Sequence, residues 1–410
     1  MKEQKLRATN HYLYYPDEEN IPPYLAYGFR PVFLLLAPYM IISMLLWSLV
    51  WAGIIPFFSD DILTWHVYEM TFGILTAGTL AFLTTGIPEL FPGMVPFVGK
   101  RLKYIVILWL AGRVSFWFID YIGVYIVAFL NLAMLAWIIY YAKDAVLDKL
   151  QRHASLGYTL VVLFALEVWF FLIQASLIEG DSMEVLKMSI GALVVLILLA
   201  LRRVNMEAVN ELMEDKGIDD VYISRPPLTN FAIFMVSAFT IVEFLYPNNS
   251  ALGWLGLGAG ASLLAITHDY NLKDKFILNQ PYVLFLASIF VLLALGYALL
   301  GWDILSTGAK NQNHFRHLVT TGGIGLSYLM VMIIISWIHT GRHLKTSWHV
   351  VGMVISIMIA TYFRVAIVWH EDSASLFYAL SSFFWILAFV LYMKQFYSYL
   401  LNPRADGIKG

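Results

Sequence analysis

The chain has no cysteine and little charge. None of its 410 residues is Cys, which excludes disulfides, thiolate metal ligands, Cys-ligated iron–sulfur clusters and covalent heme attachment through Cys-x-x-Cys-His. Any bound metal must be held by His, Met, Tyr or carboxylates. Only 13% of the residues are charged, about half the share in a soluble domain, and 60% are hydrophobic. No basic stripe favours nucleic acid, and the composition is typical of a polytopic membrane protein.

Long apolar runs recur along the chain after a short polar segment, 1–30. Each run is long enough to cross a bilayer as a helix. They predict an all-α polytopic membrane protein with about twelve transmembrane helices in a single transmembrane domain, 1–410. The runs fall at about 32–54, 64–86, 104–119, 122–141, 156–178, 186–201, 228–246, 250–267, 280–300, 315–338, 347–369 and 374–400.

The distribution of basic residues predicts the orientation of these helices. Lys and Arg favour loops on the cytoplasmic side of a membrane. Alternate loops carry them, as at 100–103 and 202–203, whereas the loops between read PFFSDD, IEGDSMEV, PNNS and WHEDS. We therefore expect both termini to be cytoplasmic.

This topology sorts the histidines into two layers. His317 and His339 end the same apolar run and are 22 residues apart, which is ~33 Å along a helix, so one metal cannot bind both. His66 and His314 lie with His317 at the outer ends of helices, and His268 lies with His339 at the inner ends. Either each layer holds a site, or these histidines are simply hydrated at the membrane interfaces.

Two spacings single out the outer layer. His66 precedes Glu69 by three residues, and His314 precedes His317 by three, so each pair shares a helix face. A carboxylate beside a histidine can orient the ring or bind metal itself. The outer layer is therefore a candidate metal or cofactor site.

Four charges fall at membrane depth: Arg113, Glu167, Glu243 and Arg364. Charges there are costly and usually face the interior of the helix bundle in pairs. The arginines could bind heme propionates and the glutamates could carry protons. Alternatively, Arg–Glu pairs only lock the helix packing.

Several motifs, in order along the chain, resemble those of the NnrS family. They are Gly28-Phe29-Arg30-Pro31, Trp65-His66-Val67-Tyr68-Glu69-Met70, Leu110-Ala111-Gly112-Arg113, His317-Leu318-x-Thr320 and His339-Thr340-Gly341-Arg342. The chain departs from the family pattern at Tyr68, where the family has a second histidine.

The resemblance implies a twelve-helix protein of the bacterial inner membrane that contains heme and copper and is linked to nitric oxide metabolism and nitrosative stress. It implies His66, His317 and His339 as heme or copper ligands, with Glu69 in support. It also implies roles in propionate binding or packing for the family arginines, which here are Arg30, Arg113 and Arg342.

On this interpretation the chain holds one or two b-type hemes, with copper as a further metal. The outer centre would use His66 and His317, with His314 as an additional ligand, and the inner centre would use His339 with His268. Quinol would supply electrons for a nitric oxide reductase-like activity, and the proton path would use Glu69, Glu167 and Glu243.

Two alternatives belong to other functional classes. One is a sensor of nitric oxide or redox state, or a heme- or metal-handling protein, without turnover. The other is a secondary transporter, which would need interrupted helices with polar residues at the midplane. The histidines avoid the midplane, which favours cofactors over transport.

Overall fold

Helices form the fold throughout the described chain. The computed structural model describes residues 15–16, 20–57, 61–90, 94–146, 154–272 and 275–410. Within these ranges no strand occurs. The predicted fold class, an all-α polytopic membrane protein, is confirmed.

Twelve long helices lie in the described ranges, and eleven of them are long and apolar enough to cross a bilayer. The exception, α3, carries four cations among its 19 residues. The helices are α1 Phe29–Trp51, α2 Ile62–Glu89, α3 Gly99–Trp117, α4 Val124–Val146, α5 Ala154–Gln174, α6 Ser182–Lys216, α7 Pro226–Leu245, α8 Ala251–Tyr270, α9 Pro281–Thr307, α10 Gln312–Ile338, α11 Trp348–Trp369 and α12 Glu371–Leu401.

The apolar runs 104–119 and 122–141 predict a tight connection between the third and fourth helices, and the structure contains one. A single helical turn, Ile119–Ile122, follows α3, and Gly123 then adopts a φ of +90°. Glycine reaches this region without the steric cost that a Cβ would bring. The chain can therefore reverse direction within a few residues.

Helix α6 is much longer than the apolar run 186–201 that predicted it. It has 35 residues, begins at the Asp181 cap, and ends at Gly217 with a φ of +67°. At 1.5 Å per residue it measures ~52 Å, well beyond the ~30 Å of bilayer hydrocarbon. The apolar signal stops at Arg202, but the polar segment after it continues the helix.

Helices α2 and α10, which carry the outer histidines, are the most enclosed candidate spans. In the most apolar window of each, 78% of the residues are buried, whereas no other candidate span exceeds 56%. Both helices pack against α6. The candidate site residues on them therefore face protein more than lipid.

The start of α1 and the end of α12 meet at one end of the bundle. Arg30 is fully buried there and donates hydrogen bonds to the carbonyl oxygens of Leu400 (3.1 Å), Asn402 (2.7 Å) and Gly410 (2.9 Å). Arg30 therefore joins these two helix ends; a role in propionate binding stays a prediction. These contacts place the start of α1 and the end of α12 on the same side of the bundle; that this side is cytoplasmic stays a prediction.

We predict that Arg30→Ala destabilises the protein, because buried carbonyl oxygens lose their donor. The expected loss is about 1–3 kcal/mol in the free energy of unfolding. Thermal unfolding in detergent measures it, and limited proteolysis should show earlier cleavage after Leu401.

The control is Arg203→Ala, since Arg203 is 47% exposed in its surface pair with Glu207. Its effect should stay within about 0.5 kcal/mol. Equal losses in the two variants would contradict the role assigned to Arg30.

Candidate functional site

The outer histidines stand at matching positions in α2 and α10. His66 lies in the turns that Asp61 caps through the Thr64 amide (3.0 Å), and the helix then widens into a π-helical segment, Glu69–Gly73. His317 ends the first α-helical turns of α10, and the π-helical segment Leu318–Ile324 follows at once. Such π-bulges occur frequently at functional sites.

The imidazole rings of His66 and His317 are close enough to interact electrostatically with each other. Both also interact with the guanidinium of Arg364. The His66 ring stacks on Trp47, with ring centroids 4.0 Å apart, and its buried Nδ1 has no hydrogen-bond partner. His317 Nδ1 lies 2.7 Å from the Asn313 carbonyl oxygen, to which it donates. The proton is then on Nδ1, and His317 Nε2 keeps a lone pair for a metal.

His314 differs from its two neighbours. Its Nδ1 accepts a hydrogen bond from Arg364 Nη1 at 2.6 Å, which places its own proton on Nε2. Neither ring nitrogen then offers a lone pair. In this arrangement His314 holds Arg364, whose guanidinium also lies 4.9 Å from the centre of the Tyr378 ring.

A buried charged network begins one helical turn below His66. Glu69 Oε2 lies 2.9 Å from Arg113 Nη1, with side-chain exposures of 0% and 2%, and Asn131 accepts a further hydrogen bond from Arg113. A Cβ at Gly73 would be only 2.5 Å from that carboxylate oxygen, so glycine leaves the room for the pair. Glu69 Oε1 is buried and has no partner.

A second carboxylate joins this network through Tyr68, the residue at which the family motif has histidine. The Tyr68 hydroxyl donates to Glu167 Oε1 at 2.8 Å, and Arg113 lies over the Tyr68 ring at 5.5 Å. Glu167 Oε2 is buried without a partner. Two carboxylates near His66 thus each keep one oxygen free to carry a proton or to bind water.

Glu243 lies apart from these carboxylates. It pairs with Arg316, the residue before His317, and both side chains are mostly buried. The structure therefore shows the helix-locking pair that the sequence left as an alternative for Glu243. This pair ties α7 to the start of α10.

The inner layer centres on His339. Its Nδ1 lies 3.1 Å from Glu89 Oε1 and 3.5 Å from the Tyr27 hydroxyl, and its ring packs against Phe29. Burial alone would lower the pKa of His339, but the neighbouring Glu89 carboxylate raises it above its ordinary value. A carboxylate at Nδ1 is also the partner that orients many metal-bound histidines.

The other inner candidates are not part of that contact set. Arg342 donates to the Thr340 carbonyl oxygen (2.9 Å) and lies 4.1 Å above the Tyr399 ring. His268 is exposed at the end of α8, whose main neighbours are α7 and α9. Among the described residues, the contacts of His339 do not include His268.

Comparison with known families identifies the chain. The model of the NnrS protein family matches residues 23–404, nearly the whole sequence. This protein belongs to the NnrS family. Family membership supports a role related to nitric oxide metabolism. No curated protein and no solved structure matches the chain significantly.

The donors of the outer layer fit heme better than copper. One imidazole has a buried unpartnered nitrogen and a second has a free lone pair, so the two would be able to hold a heme, and Arg364 would be able to balance a propionate. A copper site built from three histidines would lack its third donor, because Arg364 occupies His314. In the described part of the chain, three residues that could bind a metal have their ligand atoms within 4.8 Å of one another: Glu211, Asp215 and His343. They lie near the end of α6 and in the loop after α10, not in the outer layer.

Sequence reasoning did not find three residues that shape these sites. Trp47 stacks on His66, Asn131 holds Arg113, and Glu89 faces His339. Glu89 fell outside the predicted helix 64–86 but lies on α2, which continues to residue 89. Pro88, two residues after the predicted end of this helix, does not end it in the structure.

We predict strong coupling between Glu69 and Arg113. Arg113→Met should lower the free energy of unfolding by about 3–5 kcal/mol, because it leaves a buried carboxylate without its partner. The double variant Glu69→Gln/Arg113→Met should cost clearly less than the sum of the single variants. Thermal unfolding of the purified protein measures all three.

The matched control is the partly exposed pair of Glu184 and Lys187, whose side chains are 31% and 33% exposed and whose oxygen and nitrogen are 2.7 Å apart. Removing either charge there should change stability by about 1 kcal/mol or less. Strict additivity of the Glu69 and Arg113 effects would show that the buried pair is not coupled.

Proposed function

We propose that this NnrS-family protein is a multi-pass hemoprotein of the bacterial inner membrane. It would bind nitric oxide at a b-type heme held by His66 and His317, as part of nitric oxide metabolism or protection from nitrosative stress. The observation that carries the proposal is the pair of imidazoles on the two most enclosed helices, each with a ring nitrogen not used by the protein.

The surrounding side chains have definable tasks in this proposal. Trp47 fixes the plane of the His66 ring, and the Asn313 carbonyl fixes the tautomer of His317. Arg364, held by His314, would balance a propionate. Heme held by both imidazoles would supply an iron that passes electrons, and nitric oxide would take the position that one of the two imidazoles gives up.

Reduction of nitric oxide needs protons, and the structure offers two carriers. Glu69 and Glu167 lie near His66 and each keeps one buried oxygen without a partner, whereas Arg113 and Tyr68 hold the other oxygens. This feature favours turnover over sensing. We propose quinol in the bilayer as the electron donor.

Heme content tests the first part. Purified protein should give a b-type pyridine hemochrome, and metal analysis of the same sample would measure copper. His66→Ala and His317→Ala should lose most of the heme or change its ligand field, because each removes an axial nitrogen. His343→Ala, at a histidine that is 62% exposed and not assigned to a heme, should keep it.

Added imidazole should restore the spectrum of the two alanine variants if they are folded. Protein without heme, or a spectrum unchanged in both variants, would overturn the assignment.

Nitric oxide consumption tests the second part. With reduced quinol and without oxygen, the heme-loaded protein should consume nitric oxide. Glu69→Gln or Glu167→Gln should slow consumption at least tenfold and leave the spectrum of the nitric oxide complex unchanged. Glu179→Gln, at an exposed carboxylate in the segment after α5, should have little effect. No consumption by intact heme-loaded protein would instead support sensing.

A further inference from the structure

A cavity lies between α1, α2, α5, α6 and α10, away from both histidine layers. Its volume is about 70 Å³. The wall is almost wholly apolar, with Phe33, Phe82, Leu160, Ile197, Val331 and Met332 among the residues that line it. Apolar cavities of this kind stay dry and can take up apolar ligands.

The cavity sits midway along the two enclosed helices. Gly78 and Tyr328 line it, 12 residues after His66 and 11 residues after His317. These spacings correspond to roughly 17 Å along each helix. Gly78 is needed here because a Cβ on it would overlap the Tyr328 ring.

The volume limits what the cavity can hold. It is about half of the ~150 Å³ cavity that admits benzene or xenon in a well-studied case. A whole porphyrin does not fit in this space, and an ion or a water cluster would meet almost no polar surface. A diatomic gas or a single xenon atom matches both size and polarity.

Polar groups on the wall do not change this picture. Ser327 donates to the Gly323 and Ile324 carbonyl oxygens (2.7 and 2.8 Å), within its own helix. Thr79 Oγ1 is buried away from the cavity surface. The space itself therefore presents carbon atoms to any occupant.

We infer that this cavity is a holding site for a small apolar gas, which here is nitric oxide drawn from the bilayer. The inference rests on the function proposed above. Nitric oxide is small and apolar enough to collect in hydrocarbon, and the cavity opens among partly exposed residues such as Phe82 and Val331. The outer histidines lie on the same two helices, α2 and α10, that wall this cavity.

Xenon, followed by ¹²⁹Xe NMR on purified protein, tests the site without any need for heme. The wild type should bind xenon saturably. Val331→Phe and Ala81→Leu fill the cavity and should weaken binding at least tenfold. Val114→Phe adds a ring at a 51% exposed position on α3 and should bind as the wild type does. Absence of saturable binding, or binding unchanged by both filling variants, would overturn the inference.

Flash photolysis of the ferrous nitric oxide complex tests the link to function. Both filling variants should bind nitric oxide several-fold more slowly than Val114→Phe, with an unchanged spectrum of the bound state. Equal rates would overturn the role as a nitric oxide store, even with xenon bound. Protein that binds xenon but contains no heme would overturn the proposed function and leave the gas site standing.

Discussion

A charged side chain inside a bilayer has no water to solvate it, so it requires a partner from the same protein, and the Glu69–Arg113 pair meets that requirement at the centre of this bundle. The pair joins α2 to α3, and Asn131 extends it to α4. Gly73 leaves room for it. The position of His66, one turn away, therefore depends on this pair.

The same requirement explains most of the other polar groups. Arg30 is satisfied by carbonyl oxygens at the end of α12, Glu243 by Arg316, and His339 by Glu89. Some buried polar atoms, by contrast, have no hydrogen-bond partner in the protein. The buried groups without a hydrogen-bond partner include His66 Nδ1 and one oxygen each of Glu69 and Glu167, which are of types that bind metals or carry protons.

Apolar runs predicted the helices well because length and hydropathy decide whether a segment crosses a membrane. They failed for the polar extension of α6 and for the last turn of α2, where packing, not hydropathy, sets the end. The predicted helix topology placed His66 and His317 in the same layer. It could not show that Arg364 occupies His314, because that contact joins residues 50 positions apart.

Pairing across the bundle was likewise beyond the sequence. Motif order assigned Arg30, Arg113 and Arg342 to one group, yet each has different partners in the structure. The π-helical segments after His66 and His317 were also not foreseen, since residue types alone do not distinguish a π-turn from an α-turn. Three-dimensional packing decides both features.

The central claim is that His66 and His317 together bind one planar prosthetic group between α2 and α10. A density map of the purified protein in a lipid nanodisc tests it most directly. The account predicts a flat density with a metal at its centre, in contact with both imidazoles and with Arg364 at its edge. A map without density for a cofactor between the His66 and His317 rings, in which α2 and α10 pack directly against each other there, would contradict it.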